Sequence, residues 1–390
     1  MNRVLVVADV SAELVHGGAE RMLFHHIRAL QADGFAVAVL TRQVKPDDAL
    51  QLDLTDLGVR EYRLPFSGDK GYRGLLELRR AAKAWWLSHH INYDLVVAEQ
   101  PFVMWALLQA GCTLPRLQVC HSFAFEEYQT RHALQSSLKH SIAIAAMKRL
   151  EASVYESAQH LIVLSQFMAD RLSAFFAVQA HKITVVPGSA DQREAISEAM
   201  RMQYRQTLAW ETPTVCTLRN LVPRTGVDLM IQAAAIVKHS RPDVRFVVMG
   251  DGVLQQALLD LAIALHVDDV VSFTGFLPEA EVLQRLYAAD VFMVPTRGLE
   301  GFGLVTLEAN VCGTPVLATP IAANAELVPT IDHNRLAASA SPQALASALL
   351  DMLAAPLNEE AREAIHHDAA TRYTWDKHDD AFVGLVRGLK

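Results

Sequence analysis

Short apolar runs rich in valine alternate with longer amphipathic stretches along most of this chain. The run RVLVVADV is followed by the helical pattern AERMLFHHIRALQADG and then by AVAVLTR, and later come DLVVAEQ, RLQVCHS and HLIVLSQF. Short buried strands separated by helices are typical of βαβ units, which build a parallel sheet. The chain is therefore predicted to be an α/β protein.

The same alternation starts again after KITVVPGSAD, with the strand-like runs PTVCTLRN, VRFVVMGDG, VVSFTGF, DVFMVPT and TPVLAT. We therefore expect two doubly wound parallel sheets that face each other across a cleft. One lies in a domain of residues 1–190 and the other in a domain of residues 191–371. Residues 372–390, which include TWDKHDDAFVGLVRGLK, are predicted to form a terminal helix that packs back across the junction.

Composition excludes several classes of function. The 390 residues are 51% hydrophobic and 20% charged, and the formal net charge of -8 disfavours a surface built to hold nucleic acid. The amino terminus is predicted to be the first strand, and prolines interrupt the uncharged stretch 309–325, so we expect no transmembrane helix. The cysteines lack zinc-type spacing and are predicted to be buried thiols of a cytoplasmic protein. They are Cys112, Cys120, Cys216 and Cys312.

Ligands of doubly wound sheets bind at the carboxyl ends of the strands, so the loops there are the candidate functional segments. In the first half, Gly17 and Gly18 follow the first strand and lead into a helix. The exposed amides of that helix could accept an anion. The two glycines could equally serve only a tight turn.

In the second half, the stretch GLEGFGLVTLEANVCGTP follows the buried run DVFMVPT and opens a helix. Amides from about Phe302 to Val305 can bind a diphosphate, because Gly301 and Gly303 let the backbone approach closely. Glu300 precedes this cradle and Glu308 follows it. Carboxylates accept hydrogen bonds from vicinal hydroxyls, so one glutamate can hold a sugar and the other a ribose.

A simpler interpretation of these two glutamates stays open. An acidic residue at a helix amino terminus interacts favourably with the helix dipole, and Glu308 can be a solvent-facing residue. Two glutamates alone do not separate the alternatives, but the intervening glycines and the preceding buried strand favour a ligand site.

The spacing from Glu300 to Glu308 together with GFGLVTLEA and CGTPVLAT resembles the retaining glycosyltransferases of family 4. The resemblance covers nearly the whole chain and implies two facing Rossmann-like domains in the GT-B arrangement. The matching segments are GGAER at 17–21, VCHS at 119–122, LIVLSQF at 161–167, VVPGSAD at 185–191, RNLVPRTGVDLMI at 219–231, VMGDG at 248–252 and FTGFL at 273–277.

The resemblance implies a role for each matching donor-site residue. Glu300 is expected to contact sugar hydroxyls, Arg219 the diphosphate and Glu308 the ribose. The amides of Phe302, Gly303 and Leu304 are expected to contact the sugar or diphosphate. The donor site is also expected to include Gly17, Gly18, Gly250, Gly252 and Phe276, and the loops at 250–252 and 273–277 are expected to influence which base is accepted. Arg219 could alternatively form a surface salt bridge.

Several positions depart from the family pattern. The family usually has a lysine where this chain has Thr225, and the preceding Arg224 is the best substitute cation because a guanidinium suits phosphate. The usual Asn-Gly after VVP is Gly188-Ser189, and paired glycines are replaced by Ala322-Ala323. These changes leave the glutamate pair and the phosphate-binding helix in place.

His121 is expected, from the resemblance, to interact with the transferred sugar near its reaction centre, although it could be a core histidine. The predicted catalytic residues are therefore His121, Arg219, Arg224 and Glu300, with no general base assigned. We expect neither a cofactor nor a metal, because arginines and helix amides can take the metal's place.

Basic and aromatic residues lie together in the first half. The segment 71–91 contains Arg73, Arg79, Arg80 and Lys83 beside Trp85 and Trp86, and this combination suits peripheral contact with an anionic membrane. An ordinary amphipathic helix with core tryptophans is the alternative. The segment 137–159 allows the same two interpretations.

The predicted function is that of a retaining hexosyltransferase that moves a sugar from a nucleotide-diphosphate sugar to a glycan or lipid-linked acceptor. Cell-surface polysaccharide, lipopolysaccharide or glycolipid assembly at the inner face of the plasma membrane would suit it. A nucleotide-sugar epimerase and a catalytically silent GT-B scaffold are the alternatives.

Overall fold

The computed structural model describes residues 3–13, 17–68, 71–131 and 137–389. The chain divides into two compact units. The first contains Met1–Gly188 together with Trp375–Lys390, and the second contains Ser189–Thr374. Each unit holds one sheet with helices between its strands, which confirms the α/β prediction.

Within its described residues, the first unit has an eight-stranded sheet in the order β3-β4-β2-β1-β5-β6-β7-β8. Its strands are β1 (Arg3–Val7), β2 (Ala36–Arg42), β3 (Gln51–Leu54), β4 (Val59–Leu64), β5 (Leu95–Ala98), β6 (Arg116–Cys120), β7 (His160–Val163) and β8 (Ile183–Val185). Its helices up to residue 188 are α1 (Gly18–Ala32), α2 (Tyr72–His89), α3 (Pro101–Gln109), α4 (Ala124–Arg131), α5 (Leu138–Tyr155) and α6 (Gln166–Phe175), with 3₁₀ turns at His90–Asn92 and Ala180–Lys182.

The central strands are parallel and buried on both faces. β1 pairs with β2 and with β5, and Val4 to Val7 are fully buried between them. Covering helices on both sides allow such strands to be continuous apolar runs instead of alternating ones. This is why the strong valine-rich runs of the sequence correspond to strands.

The strand β4 and its antiparallel partner β3 are absent from the predicted strands. The sequence VREYRL carries charges that conceal a strand, yet Glu61 and Arg63 are buried in it. Arg63 Nε donates to Glu61 Oε1 at 2.6 Å, and the other Glu61 oxygen accepts from Ser11. The buried charges therefore satisfy each other and hold the loop that follows β1.

The second unit has, among its described residues, a six-stranded parallel sheet in the order β11-β10-β9-β12-β13-β14. Its strands are β9 (Thr214–Leu218), β10 (Arg245–Met249), β11 (Val271–Gly275), β12 (Val291–Val294), β13 (Val316–Ala318) and β14 (Arg335–Leu336). Its helices are α7 (Glu198–Thr207), α8 (Val227–Ser240), α9 (Gln255–Ala264), α10 (Glu279–Ala288), α11 (Leu304–Asn310), α12 (Asn324–Leu327), α13 (Pro342–Ala354) and α14 (Glu359–Arg372), with 3₁₀ turns at Pro223–Thr225 and Val328–Thr330.

The terminal helix α15 (Trp375–Arg387) belongs to the first unit, where it packs on α1. Trp375 stacks on His25 with ring centroids 3.5 Å apart, and Phe382 stacks on His26 at 4.0 Å. Arg387 also pairs with Asp33. The last helix thus completes the core of the unit in which the chain began.

The tryptophans of α2 lie in or against the core. Trp86 is buried, while Trp85 is half-buried and stacks on His89. The two tryptophans of the segment 71–91 therefore fit the alternative interpretation, an ordinary amphipathic helix with core tryptophans. Large apolar side chains that are exposed in this segment are Tyr72, Leu87 and Ile91.

Across the ranges that the structure describes, no helix is long and apolar enough to cross a membrane. All four cysteines are buried free thiols.

Glycines at 250 and 252 let the loop after β10 pass against the loop after β9. A Cβ on Gly250 would lie 2.1 Å from the Arg219 carbonyl oxygen, and one on Gly252 would lie 2.6 Å from that of Leu221. Two backbone hydrogen bonds join these loops, from Arg219 N to Met249 O at 3.0 Å and from Leu221 N to Asp251 O at 2.9 Å. These glycines therefore set the position of the Arg219 backbone.

We predict that Gly250→Ala destabilises the second unit by about 2–4 kcal/mol, because the left-handed backbone strains an alanine and its methyl group would meet a backbone oxygen. Gly275→Ala is the matched control, since Gly275 also has a positive φ of 69° but open space around it. That variant should lose only about 1 kcal/mol. Denaturant unfolding measures both values, and equal losses would contradict the steric account.

Candidate functional site

The second unit brings Arg219 and Glu300 together at one edge of its sheet. Arg219 directly follows β9, and Glu300 lies in the loop after the neighbouring strand β12. Arg219 Nη2 donates to Glu300 Oε2 at 2.5 Å and to Thr296 Oγ1 at 3.1 Å. Both charged residues are buried, with 7% and 9% of their surface exposed.

The environment keeps Glu300 ionised. Burial raises the pKa of its carboxyl group, but the charge and hydrogen bond of Arg219, the charge of Arg224 and the Thr296 hydroxyl together hold it below its ordinary value. An ionised carboxylate can only accept hydrogen bonds, so it is suited to ligand hydroxyls. Thr296 was not among the predicted site residues, although it ends the run DVFMVPT.

One nitrogen of Arg219 remains available. Within the described part of the chain, its buried Nε has no hydrogen-bond partner. An unpaired donor on a buried guanidinium costs free energy unless a ligand or water accepts from it. The geometry therefore leaves Arg219 with a donor for an anion while Nη2 holds Glu300.

Thr225, which stands where the family usually has lysine, turns away from this site. Its hydroxyl contacts the backbone carbonyls of Asn220 and Val222 at 2.9 and 2.8 Å. The adjacent Arg224 instead donates from Nη1 to Leu299 O at 3.2 Å, directly before Glu300. Arg224 is therefore the cation that this segment presents to the Glu300 loop.

The glycine-rich loop leads into α11 as expected. Gly303 has a positive φ of 95° and precedes the first helical residue, Leu304, whereas Phe302 is buried before the helix. Beside Gly303, two fully buried polar atoms, Thr306 Oγ1 and Asn324 Oδ1, have no partner among the described residues. Unsatisfied polar atoms therefore surround the loop that was predicted to receive the donor.

Backbone strain is also concentrated here. Leu299 and Ala322 have positive φ values of 57° and 55°. Ala323 N donates to Glu300 O at 3.2 Å, so the segment with the alanine pair holds the Glu300 backbone. Left-handed non-glycine residues cost about 1–2 kcal/mol each and are frequent at functional sites.

The other predicted donor residues of this unit are more exposed. Glu308 is half-buried in α11, and Phe276 is 67% exposed after β11. Gly250 and Gly252 lie against the Arg219 loop, as described above. Close contact with the Arg219 loop therefore explains the glycines at positions 250 and 252. Packing in this unit does not explain why Phe276 is a phenylalanine, because its side chain is exposed.

In the first unit, Gly17 and Gly18 lie at the start of α1. Gly17 is the residue before the helix, and a Cβ there would lie 2.9 Å from the carboxylate of Glu20 in the first turn. An acidic side chain thus already lies near the amides that were predicted to accept an anion. Val15 and His16, which precede the glycines, lie outside the described residues.

His121 follows β6 and is paired with a residue that the sequence did not single out. Its Nε2 lies 2.9 Å from Oε2 of Glu99, and the Glu99 side chain is fully buried. Glu99 directly follows β5 within the run DLVVAEQ, so a polar residue at the carboxyl end of a buried strand was the available signal.

Within the described ranges, no group of three or more histidine, cysteine, aspartate or glutamate side chains is arranged to hold a metal ion.

Comparison with known proteins gives matches for both units. Residues 16–193 match the family model described as "Glycosyltransferase Family 4", and residues 201–372 match the one described as "Glycosyl transferases group 1". Together the two ranges cover most of the chain.

Curated relatives match over part of their length. A "D-inositol 3-phosphate glycosyltransferase" of Segniliparus rotundus is 28% identical over 61% of this chain and 54% of its own length. A "GDP-mannose-dependent alpha-(1-6)-phosphatidylinositol monomannoside mannosyltransferase" of Mycolicibacterium smegmatis is 29% identical over 64% of this chain and 66% of its own. The aligned region thus spans about half to two thirds of these relatives.

The fold is also that of a solved structure. The sucrose-phosphate synthase of Thermosynechococcus elongatus matches 100% of this chain and 99% of its own with a TM-score of 0.83 at 22% identity. With the two family matches and the two α/β units, this shows that the chain belongs to glycosyltransferase family 4 and has the GT-B fold.

Proposed function

We propose that this protein is a retaining glycosyltransferase that moves a sugar from a nucleotide-diphosphate sugar to a hydroxyl of a glycan or lipid-linked acceptor. The buried pair of Arg219 and Glu300 at the carboxyl ends of β9 and β12 carries the proposal. It places a cation and an ionised carboxylate where a doubly wound sheet binds its ligand.

The two charges suit the two parts of such a donor. The Glu300 carboxylate accepts hydrogen bonds from sugar hydroxyls, and the unpaired Nε of Arg219 donates to the diphosphate. Negative charge increases on the diphosphate as the glycosidic bond breaks, so a fixed guanidinium stabilises the transition state more than the ground state. Arg224 adds a second cation beside the same loop.

The remaining predicted donor contacts are part of the same proposal. Amides at the start of α11 are assigned to the sugar or diphosphate, Glu308 to the ribose, and exposed Phe276 to the base. Neither a metal nor a cofactor is assigned. His121 is assigned to the transferred sugar through its resemblance to the family, without a general base.

Names of the relatives support a nucleotide sugar as the donor, but they do not favour one particular sugar or base. One relative is described as dependent on GDP-mannose and another as acting on D-inositol 3-phosphate. The GT-B structure Anabaena Alr3699/HepE was solved with UDP-glucose. A phosphatidylinositol mannoside in the name of a relative favours a lipid-linked acceptor for this chain.

We predict that one of UDP-, GDP-, ADP- and dTDP-sugars raises the thermal unfolding temperature of the wild type. A ligand at about 100 times its Kd adds about 2.7 kcal/mol of stability, and Arg219→Gln and Glu308→Ala should each lose most of that gain. Arg297→Gln is the matched control, because Arg297 lies on the same loop in an exposed ion pair with Asp228.

Turnover of the stabilising donor then separates the alternatives. Transfer that requires an acceptor supports the glycosyltransferase, whereas conversion of the donor without any acceptor would indicate an epimerase. Absence of stabilisation by all four donors would contradict the proposed donor site and favour the silent scaffold. Equal gains in Arg219→Gln and the wild type would contradict the assignment of Arg219 to that site.

We also propose peripheral contact of the first unit with an anionic membrane, which would place the protein at the cytoplasmic face. On α2 the basic residues Arg73, Arg79, Arg80 and Lys83 are exposed, and apolar Tyr72 and Leu87 are exposed on the same helix. On α5, Leu138 and Ile142 are 78% and 60% exposed near Lys139. Exposed apolar side chains beside basic ones favour an interfacial position.

We predict that the double variant Arg79→Gln/Arg80→Gln binds vesicles containing anionic lipid about 10- to 30-fold more weakly than the wild type, since each basic residue near such a surface contributes about 1 kcal/mol. Sedimentation with the vesicles measures this. The control is Arg335→Gln/Arg372→Gln, two exposed arginines of the second unit. No binding of the wild type, or equal binding by both double variants, would contradict the proposal.

A further inference from the structure

His121 is the outer end of a hydrogen-bonded row of side chains inside the first unit. Glu99 Oε2 lies 2.9 Å from His121 Nε2, and Glu99 Oε1 lies 2.7 Å from His26 Nδ1. His26 Nε2 lies 2.9 Å from His378 Nε2, and His378 Nδ1 lies 2.8 Å from the carbonyl oxygen of Pro187. Glu99, His26 and His378 are almost completely buried, whereas the His121 side chain retains 12% of its exposure.

The positions of the protons can be derived from the inner end of this row, where His378 contacts the Pro187 carbonyl. A carbonyl oxygen can only accept, so His378 Nδ1 carries a proton and donates to Pro187. Burial and the neighbouring His26 lower the pKa of His378 to about 3, so its ring is neutral and its Nε2 accepts. His26 Nε2 must therefore carry the proton of the bond between the two histidines.

The charge on Glu99 determines which atom carries the proton at the His121 end of the row. Burial raises the pKa of its carboxyl group, but the charges and hydrogen bonds of His26 and His121 outweigh burial and lower it to about 2. The carboxylate therefore accepts from both rings. One proton is then shared between His26 Nδ1 and Glu99 Oε1, and His121 donates from Nε2 to Glu99 Oε2.

The state of His121 does not depend on where the proton between Glu99 and His26 lies. Were that proton on Oε1 of Glu99, donating to His26 Nδ1, the other carboxyl oxygen would still accept from His121 Nε2. In both arrangements the neutral His121 ring has its lone pair on Nδ1. A ring held in this way presents an acceptor to a bound molecule.

We propose that Glu99 is a positioning residue that holds His121 as the Nε2–H tautomer, so that His121 Nδ1 accepts a hydrogen bond from a hydroxyl of the sugar substrate. His26 holds the other carboxylate oxygen of Glu99 at 2.7 Å, which keeps Oε2 directed at His121. The sugar as the ligand rests on the proposed function, whereas the tautomer is a property of the first unit alone. A carboxylate behind a histidine fixes its tautomer and orientation in metal sites and in hydrolases.

The test is a long-range ¹H–¹⁵N spectrum of ligand-free protein labelled with ¹⁵N-histidine, with His121 assigned through His121→Gln. The wild type should show His121 as the Nε2–H tautomer. Glu99→Leu should convert it to a mixture or to the Nδ1–H form. Glu99→Gln should keep the Nε2–H form, because its amide oxygen can still accept from His121.

Glu99→Gln also carries the test if the leucine variant does not fold. With the amide oxygen toward His121, the NH₂ group must donate to His26 Nδ1, so the His26 ring of this variant should carry its proton on Nε2. A wild-type Nδ1–H tautomer of His121, an unchanged His121 spectrum in a folded Glu99→Leu variant, or loss of the Nε2–H form of His121 in Glu99→Gln would each overturn the proposal.

Turnover supplies a second readout once a donor is known. Glu99→Leu should lower kcat/KM by about 10- to 100-fold, as is usual when the partner of a functional histidine is removed, and Glu99→Gln should recover most of the loss. Equal losses in both variants would contradict a positioning role. Because the spectra use ligand-free protein, an inactive wild type would refute the proposed function and leave the tautomer result to decide this inference.

Discussion

Parallel pairing of β9 with β12 determines the chemistry available to the second unit. The register joins Val215 to Val291 and Cys216 to Phe292, so both strands end at the same edge of the sheet. Arg219 directly follows one strand, and Thr296 and Glu300 lie in the loop after the other. Residues about 80 positions apart thereby become hydrogen-bond partners at 2.5 Å. The glycines of the β10 loop then keep the Arg219 backbone in place.

Both units hold a buried carboxylate beyond the end of a strand and hydrogen-bond it to a nitrogen-bearing side chain. In the second unit Glu300 is paired with Arg219, and in the first Glu99 is paired with His26. Removing an ion from water costs several kcal/mol, so a buried pair gives little net stability. Such pairs are better explained by what they position: a carboxylate for ligand hydroxyls in one unit and a histidine ring in the other. The strained residues Leu299 and Ala322 near Glu300 agree with this interpretation.

Much of the fold could be predicted because buried parallel strands are continuous apolar runs. The valine-rich runs that become β1, β5, β10 and β12 were recognised, and the GT-B class is confirmed. β4 was missed because Glu61 and Arg63 conceal its pattern, and their mutual compensation is a tertiary contact that sequence periodicity does not contain. For the same reason the sequence could name Arg219, Glu300 and His121 but not Thr296 or Glu99, whose importance depends on their partners.

The most direct test of the donor site is a crystal structure of the protein with the nucleoside diphosphate of its stabilising donor. A phosphate oxygen should accept a hydrogen bond from Arg219 Nε, which has no partner among the described residues of the ligand-free chain. Amides at the start of α11 should contact the same diphosphate. A nucleotide bound away from the ends of β9 and β12, with Arg219 Nε still unpaired, would contradict the account.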